Sequence, residues 1–147
     1  MHEFIPSTPG TYALLIQISA PIEITPGRLG SFSLVSGWYV YVGSARGPGG
    51  LAARLRRHLR PPEFKRAHWH IDHLLAQAPI SRAIWVMGEE RRECEWARQL
   101  LASPGAELPI PRFGASDCDC PSHLIRFTDE ATATAVLVTL TERLDKG

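Results

Sequence analysis

Apolar positions along the chain follow two rhythms, and together they predict alternating strands and helices. Thr11–Ile18 is an almost unbroken apolar, β-branched run and reads as a strand. Pro21–Arg28 carries two prolines and a Pro26-Gly27 turn signal, with a short extended piece at Ile22–Ile24. Ser31–Val35 and Gly37–Gly43 then read as two strands joined by a tight turn at Ser36-Gly37. Gly47-Pro48-Gly49-Gly50 breaks the chain before a helix over about Leu51–Leu59. There Leu51, Leu55 and Leu59 recur every four positions, Ala52 widens the stripe and Pro61-Pro62 ends the helix. A second helix is predicted over Trp69–Ala78, a strand over Ser81–Met87, and a third helix over Arg91–Leu101 with Cys94, Ala97, Leu100 and Leu101 facing inward. After a proline-rich loop come a strand at His123–Phe127 and a closing helix at Ala131–Leu144. The order is too interleaved for a sandwich and too irregular for a doubly wound sheet, so the class is α+β.

Composition narrows the picture. A chain of 147 residues, 44% hydrophobic and 21% charged, suits one compact core and is short for two domains, so a single domain over 1–147 is expected. No apolar run approaches the roughly 18 residues that span a bilayer. The start, Met1-His2-Glu3-Phe4-Ile5-Pro6, lacks the basic and apolar segments of a signal peptide. Three cysteines form no regular framework, which points to a reducing cytoplasm and to no membrane partner. The formal net charge of +1 argues against a protein that coats polyanions generally, but the charge is unevenly placed. Arg46, Arg54, Arg56, Arg57, Arg60, Lys65 and Arg66 face a single acidic residue, Glu63, within Arg46–Arg66. Such a block focuses a positive field on a phosphate backbone; the plainer reading is an arginine-rich, solvated helix face.

Two short motifs, Gly10-Thr11-Tyr12 and Tyr41-Val42-Gly43, lie in predicted strands, and Arg54 and His58 follow on the next helix. Two tyrosines on neighbouring strands, with Gly43 leaving room beside one and an arginine above, can surround a phosphodiester. With these residues the chain resembles the GIY-YIG nuclease superfamily, and more narrowly its stand-alone DUF123 branch. His68-Trp69-His70-Ile71-Asp72 and Phe113-Gly114-Ala115-Ser116-Asp117 extend the resemblance from Gly10 to about Phe127. It implies a small central, mainly antiparallel sheet flanked by helices. The tyrosines stand 29 positions apart (41 − 12), so the added Ile22–Val35 stretch must form an extra strand or hairpin.

The resemblance implies a metal-dependent endonuclease acting on nucleic acid, with DNA the expected substrate. Tyr12 would activate water and Tyr41 would help to position it. Each is otherwise an ordinary packed strand aromatic. Arg54 offers a planar, permanently charged fork for phosphate oxygens. His58 shares its face, four residues on, and either holds a phosphate, relays a proton or is a half-buried histidine bonded to backbone. Arg57 and His70 are further candidates for substrate contact, with His68. The family supplies one metal-binding carboxylate from the helix after the third-region strand. Glu93, preceding Trp96 and Ala97 by three and four positions, lies beside the packed face, whereas Glu95 points about 200° away and is the reserve. One carboxylate with several waters suits a single Mg2+ or Mn2+.

Other clusters are less specific. His70 and His73 share a face, but Trp69, Ile71, Leu74 and Leu75 make that segment a core helix with polar edges. Cys118, Cys120 and His123, with Cys94 from a distant element, would total four zinc ligands. Cys-x-Cys-x2-His is not a common zinc spacing, so zinc at Cys118, Cys120 and His123 is not expected, and small buried or loop cysteines are. The superfamily commonly places an asparagine late in its core; this chain has none, and Ser116 or Asp117 would have to substitute. The alternative is a nucleic-acid-binding module of the same fold with little or no hydrolysis. Substrate specificity, and whether a homodimer or other protein partner forms, stay open.

Overall fold

A computed structural model describes residues 5–60, 69–115 and 118–145. Lys65, Arg66, Glu63, His68, Ser116 and Asp117, named above, lie outside them.

Two long strands organise the molecule. β1 (Gly10–Ile18) and β4 (Gly37–Ala45) pair antiparallel over their full lengths, Tyr12 opposite Gly43 and Leu14 opposite Tyr41. β5 (Ile80–Met87) adds to the free side of β1 and β6 (Leu124–Phe127) to that of β4, giving an antiparallel sheet in the order β5-β1-β4-β6. Side chains alternate across a sheet, and here both faces are covered. On one face Tyr12, Leu14, Ile16, Tyr39 and Tyr41 pack with Leu51 and Leu55 of α1 (Gly50–Leu59) and Ile71 and Leu74 of α2 (His70–Leu75). On the other, Ala13, Leu15, Val40 and Val42 meet Trp96, Ala97 and Leu100 of α3 (Glu93–Leu101) and Ala133, Leu137 and Leu140 of α4 (Glu130–Asp145). Burial on both faces explains why β1 reads as a continuous apolar run, a pattern usual in parallel sheets.

The α+β class and the sheet flanked by helices match expectation. The Ile22–Val35 insertion forms a separate two-stranded sheet, β2 (Ile22–Ile24) with β3 (Phe32–Leu34). The sequence links β3 to β4 by a tight turn, but the two strands do not pair. At the junction the Ser36 carbonyl accepts two bonds from the Arg126 guanidinium, 2.6 and 3.2 Å, so β6 takes the place beside β4. The Trp69–Ala78 helix is shortened to α2, and turns carry the chain on to Ala78 through amides of Gln77 and Ala78 bonded to the Leu74 carbonyl. Among the described residues no helix is long and apolar enough to cross a membrane.

The start of α1 is fixed by the segment before β1. Gly50 has φ +55°, and a Cβ there would sit 2.2 Å from the Thr8 carbonyl oxygen. That close approach lets the Leu51 and Ala52 amides donate to Thr8 and Pro6 carbonyls at 2.9 and 2.8 Å, satisfying donors a helix start leaves bare. The basic helix is thereby held across the tyrosine-bearing face of the sheet.

Candidate active site

A cavity of about 250 Å³ opens between the tyrosine face of the sheet, α1 and the start of α3. Its walls include Tyr12, Tyr41, Gly43, Arg54, His58 and Glu93. It is smaller than the roughly 300 Å³ at which pockets for whole organic ligands begin, so it fits a single functional group with water.

Tyr12 and His58 form its floor. The hydroxyl of Tyr12 lies 2.7 Å from His58 Nε2, and both side chains are buried. Of the partners open to His58, the structure shows the Tyr12 phenol. Gly43 is the reason the phenol fits. Directly opposite Tyr12, a Cβ at Gly43 would approach the phenol oxygen to 2.5 Å. Burial pushes the Tyr12 phenol up to about 12, despite the opposing pull of the Arg54 guanidinium. Burial also holds Tyr41 well above the ordinary phenol range. Tyr41 packs edge-on to Phe113 and His58, its ring 6.5 Å from that of Tyr12.

Arg54 is half-buried. Its Nη1 donates to the Ser44 carbonyl at 2.9 Å, and its guanidinium lies 4.4 Å over the Trp69 ring. Glu93 opens α3 with only 9% of its surface exposed. Among the described residues its Oε2 and the Ser44 hydroxyl are buried without hydrogen-bond partners. Glu95, the reserve, is exposed on the far side of the helix. A buried carboxylate oxygen with an open valence beside a water-sized space has the donor chemistry a hydrated divalent cation needs.

Two residues expected to contact substrate, Arg57 and His70, stand outside the cavity lining. Arg57 does not reach the cavity. It forms a two-pronged pair with Asp72, Nη1–Oδ1 2.9 Å and Nη2–Oδ2 3.0 Å, and its guanidinium lies 4.2 Å over the Trp69 ring. Asp72, buried, also accepts from the Trp69 amide at 2.9 Å. His70 is likewise engaged elsewhere: its Nδ1 accepts from the Gly114 amide at 2.8 Å, and burial lowers its pKa. Trp69, His70 and Asp72 thus act as a brace. Asp72 anchors Arg57, and Trp69 lies against both arginines.

Several cavity residues escaped the sequence. Arg46 and Arg91 join Arg54 on the wall, so that among the described residues three guanidiniums and one carboxylate, Glu93, line the cavity. Arg46 was visible in the basic block; Arg91 carried no signal, because only the turn from β5 into α3 brings it there. Trp69, Gly114, Cys118 and His123 line the remainder. The His123 imidazole is shifted down, chiefly by burial. Cys94 and Cys120, which sequence did not pair, are disulfide-bonded, with Cys118 free.

An antiparallel sheet covered on both faces, with two buried tyrosines and three arginines lining one cavity, defines an α+β domain. The chain belongs to the DUF123 family, described as a domain of unknown function, whose model matches residues 11–146. Comparison with curated proteins and with solved structures gives no match.

Proposed function

We propose that this domain is a metal-dependent endonuclease of GIY-YIG type that hydrolyses phosphodiester bonds of nucleic acid, with DNA the expected substrate. The observation that carries the reading is the convergence of Tyr12, Tyr41, Arg54 and Glu93, remote in sequence, on one cavity. The resemblance of Gly10-Thr11-Tyr12 and Tyr41-Val42-Gly43 to that superfamily's motifs supports it.

A phenol held near 12 is a weak base by itself at neutral pH. The 2.7 Å contact to His58 supplies the remedy. As the Tyr12 oxygen takes a proton from attacking water, its own proton passes to His58 Nε2, so no free phenolate has to exist. This requires the His58 tautomer with Nε2 bare. Arg54, aligned by the Ser44 carbonyl and Trp69, offsets the negative charge that grows on the phosphate oxygens. Arg46 and Arg91 add to the field that draws the anion in. Tyr41 shapes the wall beside the water. A Mg2+ or Mn2+ held by Glu93 would neutralise charge on the scissile phosphate and the leaving oxygen.

A binding module with little or no hydrolysis is the second reading. It is favoured by the raised Tyr12 pKa and by a chain without asparagine. The test is a panel of branched, single-stranded and duplex substrates with and without Mg2+ or Mn2+, comparing the parent protein with Glu93→Ala and Tyr12→Phe. The nuclease reading expects metal-dependent cleavage that both variants lose by about 10²–10⁴-fold. Salt-sensitive retention of intact DNA would instead favour the binder. Cleavage by Glu93→Ala at the parental rate would refute the assignment.

A further inference from the structure

At the back of the cavity Cys94, Cys118, Cys120 and His123 present one ligand atom each, all within 4.8 Å of one another. We propose that, with its thiols reduced, this cluster is a Cys3His zinc site that fastens the 102–123 loop to α3. The proposal is independent of nuclease activity.

The first argument is distance. With Zn–S near 2.3 Å and Zn–N near 2.0–2.1 Å, neighbouring sulfur and nitrogen ligands of a tetrahedron stand about 3.6 Å apart. Cys118 Sγ and Cys94 Sγ lie 3.5 and 3.8 Å from His123 Nε2. Cys94 and Cys120 have Cα atoms 5.7 Å apart, so small side-chain rotations bring both thiolates to a common centre. Reduction by a small thiol, two RSH giving RSSR, converts the disulfide to two thiols. Zinc binding then releases the three thiol protons and leaves a site of net charge −1.

The second argument is how the ligands are held. Residues 102–123 contain no helix or strand among those described, only an isolated bridge at Glu107. A loop of that length in a compact domain ordinarily needs a function or a fastening. Arg112 curls its tip, donating from Nη1 to the Cys120 carbonyl at 2.7 Å and from Nη2 to the Ala115 carbonyl at 2.6 Å and to that of Cys118. That curl turns Cys118 and Cys120 toward His123 and sets a guanidinium beside the anionic site. The His123 backbone is pinned on both sides, its amide to the Phe113 carbonyl at 2.8 Å and its carbonyl to the Val42 amide at 3.0 Å. A disulfide occupies two of these four ligands and gives Cys118 and His123 no role. Four protein ligands, one from α3 and three from the loop, make a closed, structural site, not one with an open coordination position. Because Cys94 follows Glu93, and Cys118 and His123 line the cavity, the metal would also fix the start of α3 at the cavity wall.

The full chain, reduced and freed of metal by a chelator, is titrated with Zn2+, and with Co2+ as the optical probe. We expect one equivalent of either ion, intense visible bands of tetrahedral cobalt with thiolate charge transfer, and a melting temperature that rises with Zn2+. Cys118→Ser should weaken Zn2+ binding by more than the roughly 10–100-fold that loss of an outer partner costs, and Cys118→His should restore it. The wild-type cobalt spectrum reads the ligand set even if Cys118→Ser fails to fold. Reduced protein that binds no Zn2+, an octahedral cobalt spectrum, or binding unchanged in Cys118→Ser would each overturn the site.

Discussion

Gly43→Ala is the sharpest probe of how the cavity floor is assembled. The new methyl would stand 2.5, 2.6 and 3.1 Å from Oη, Cζ and Cε1 of Tyr12. Unstrained heavy-atom contacts begin near 3.5 Å, so the ring has to retreat by about 0.9 Å. It has little room to do so: Tyr12 is 1% exposed, with the His58 ring 5.4 Å away. A displacement of this size disrupts the geometry of the 2.7 Å Tyr12–His58 contact. Overpacking costs about 1–3 kcal/mol and the disrupted buried bond about 1. Replacing a strand glycine returns roughly 0.5–1 kcal/mol. The net loss is therefore about 1–3 kcal/mol, or a melting temperature lowered by roughly 3–9 °C. Calorimetry on Gly43→Ala, Tyr12→Leu and the double variant measures it. In the Tyr12→Leu background the phenol is gone, so the methyl should cost under about 0.5 kcal/mol, and the two changes should couple strongly. An unchanged melting temperature in Gly43→Ala, or the same penalty in both backgrounds, would refute the reasoning.

Three further outcomes follow. Asp72→Asn removes the charge facing Arg57 in a pair whose acid is 1% exposed and whose base is 25% exposed; breaking a buried pair costs 3–5 kcal/mol, and the partial exposure reduces this to about 2–3, read from the urea midpoint at constant slope. All three tyrosines are raised by burial, Tyr12 to about 12, so phenolate absorbance should place each midpoint above the ordinary value of about 10 while the fold is intact. A folded pKa above the unfolded one makes the contribution of Tyr12, on the order of 3 kcal/mol, complete below pH 10 and lost as pH rises toward 12; a normal titration in folded protein contradicts it. Arg54→Lys keeps the charge but loses the planar fork and its place on Trp69; nucleic-acid cleavage should fall by at least about tenfold with binding weakened less, and equal activity would remove Arg54 from the proposed chemistry.

Much of this was legible in the chain before any coordinates. Unbroken apolar runs gave β1 and β4 because both faces of their sheet are buried, and the four-residue leucine repeat gave α1. Tyr12, Gly43, Arg54 and Glu93 were legible as candidates because each combines a reactive or permissive residue type with a position on a predictable element. Glu93 was separable from Glu95 by helix geometry alone: α3 buries the first and exposes the second. Arg57 and His70 fall outside the cavity lining for a common reason. A cation near other cations suggests a phosphate, but the sequence does not say that Asp72, fifteen positions later, returns to meet Arg57 at 2.9 Å. Nor does it say that the Gly114 amide meets His70.

Local sequence determined the elements, since strand and helix preferences depend on a residue's own backbone and near neighbours. It set the kind of chemistry available too, through two motif tyrosines, a basic helix and a glutamate at the start of α3. Tertiary structure alone decided which of those groups meet. The phenol–imidazole contact spans 46 positions, and the cysteine–histidine cluster draws on α3, a long loop and the approach to β6. Such meetings depend on strand order and register, which arise from packing both faces of one sheet at once and leave no trace in the spacing of residues along the chain.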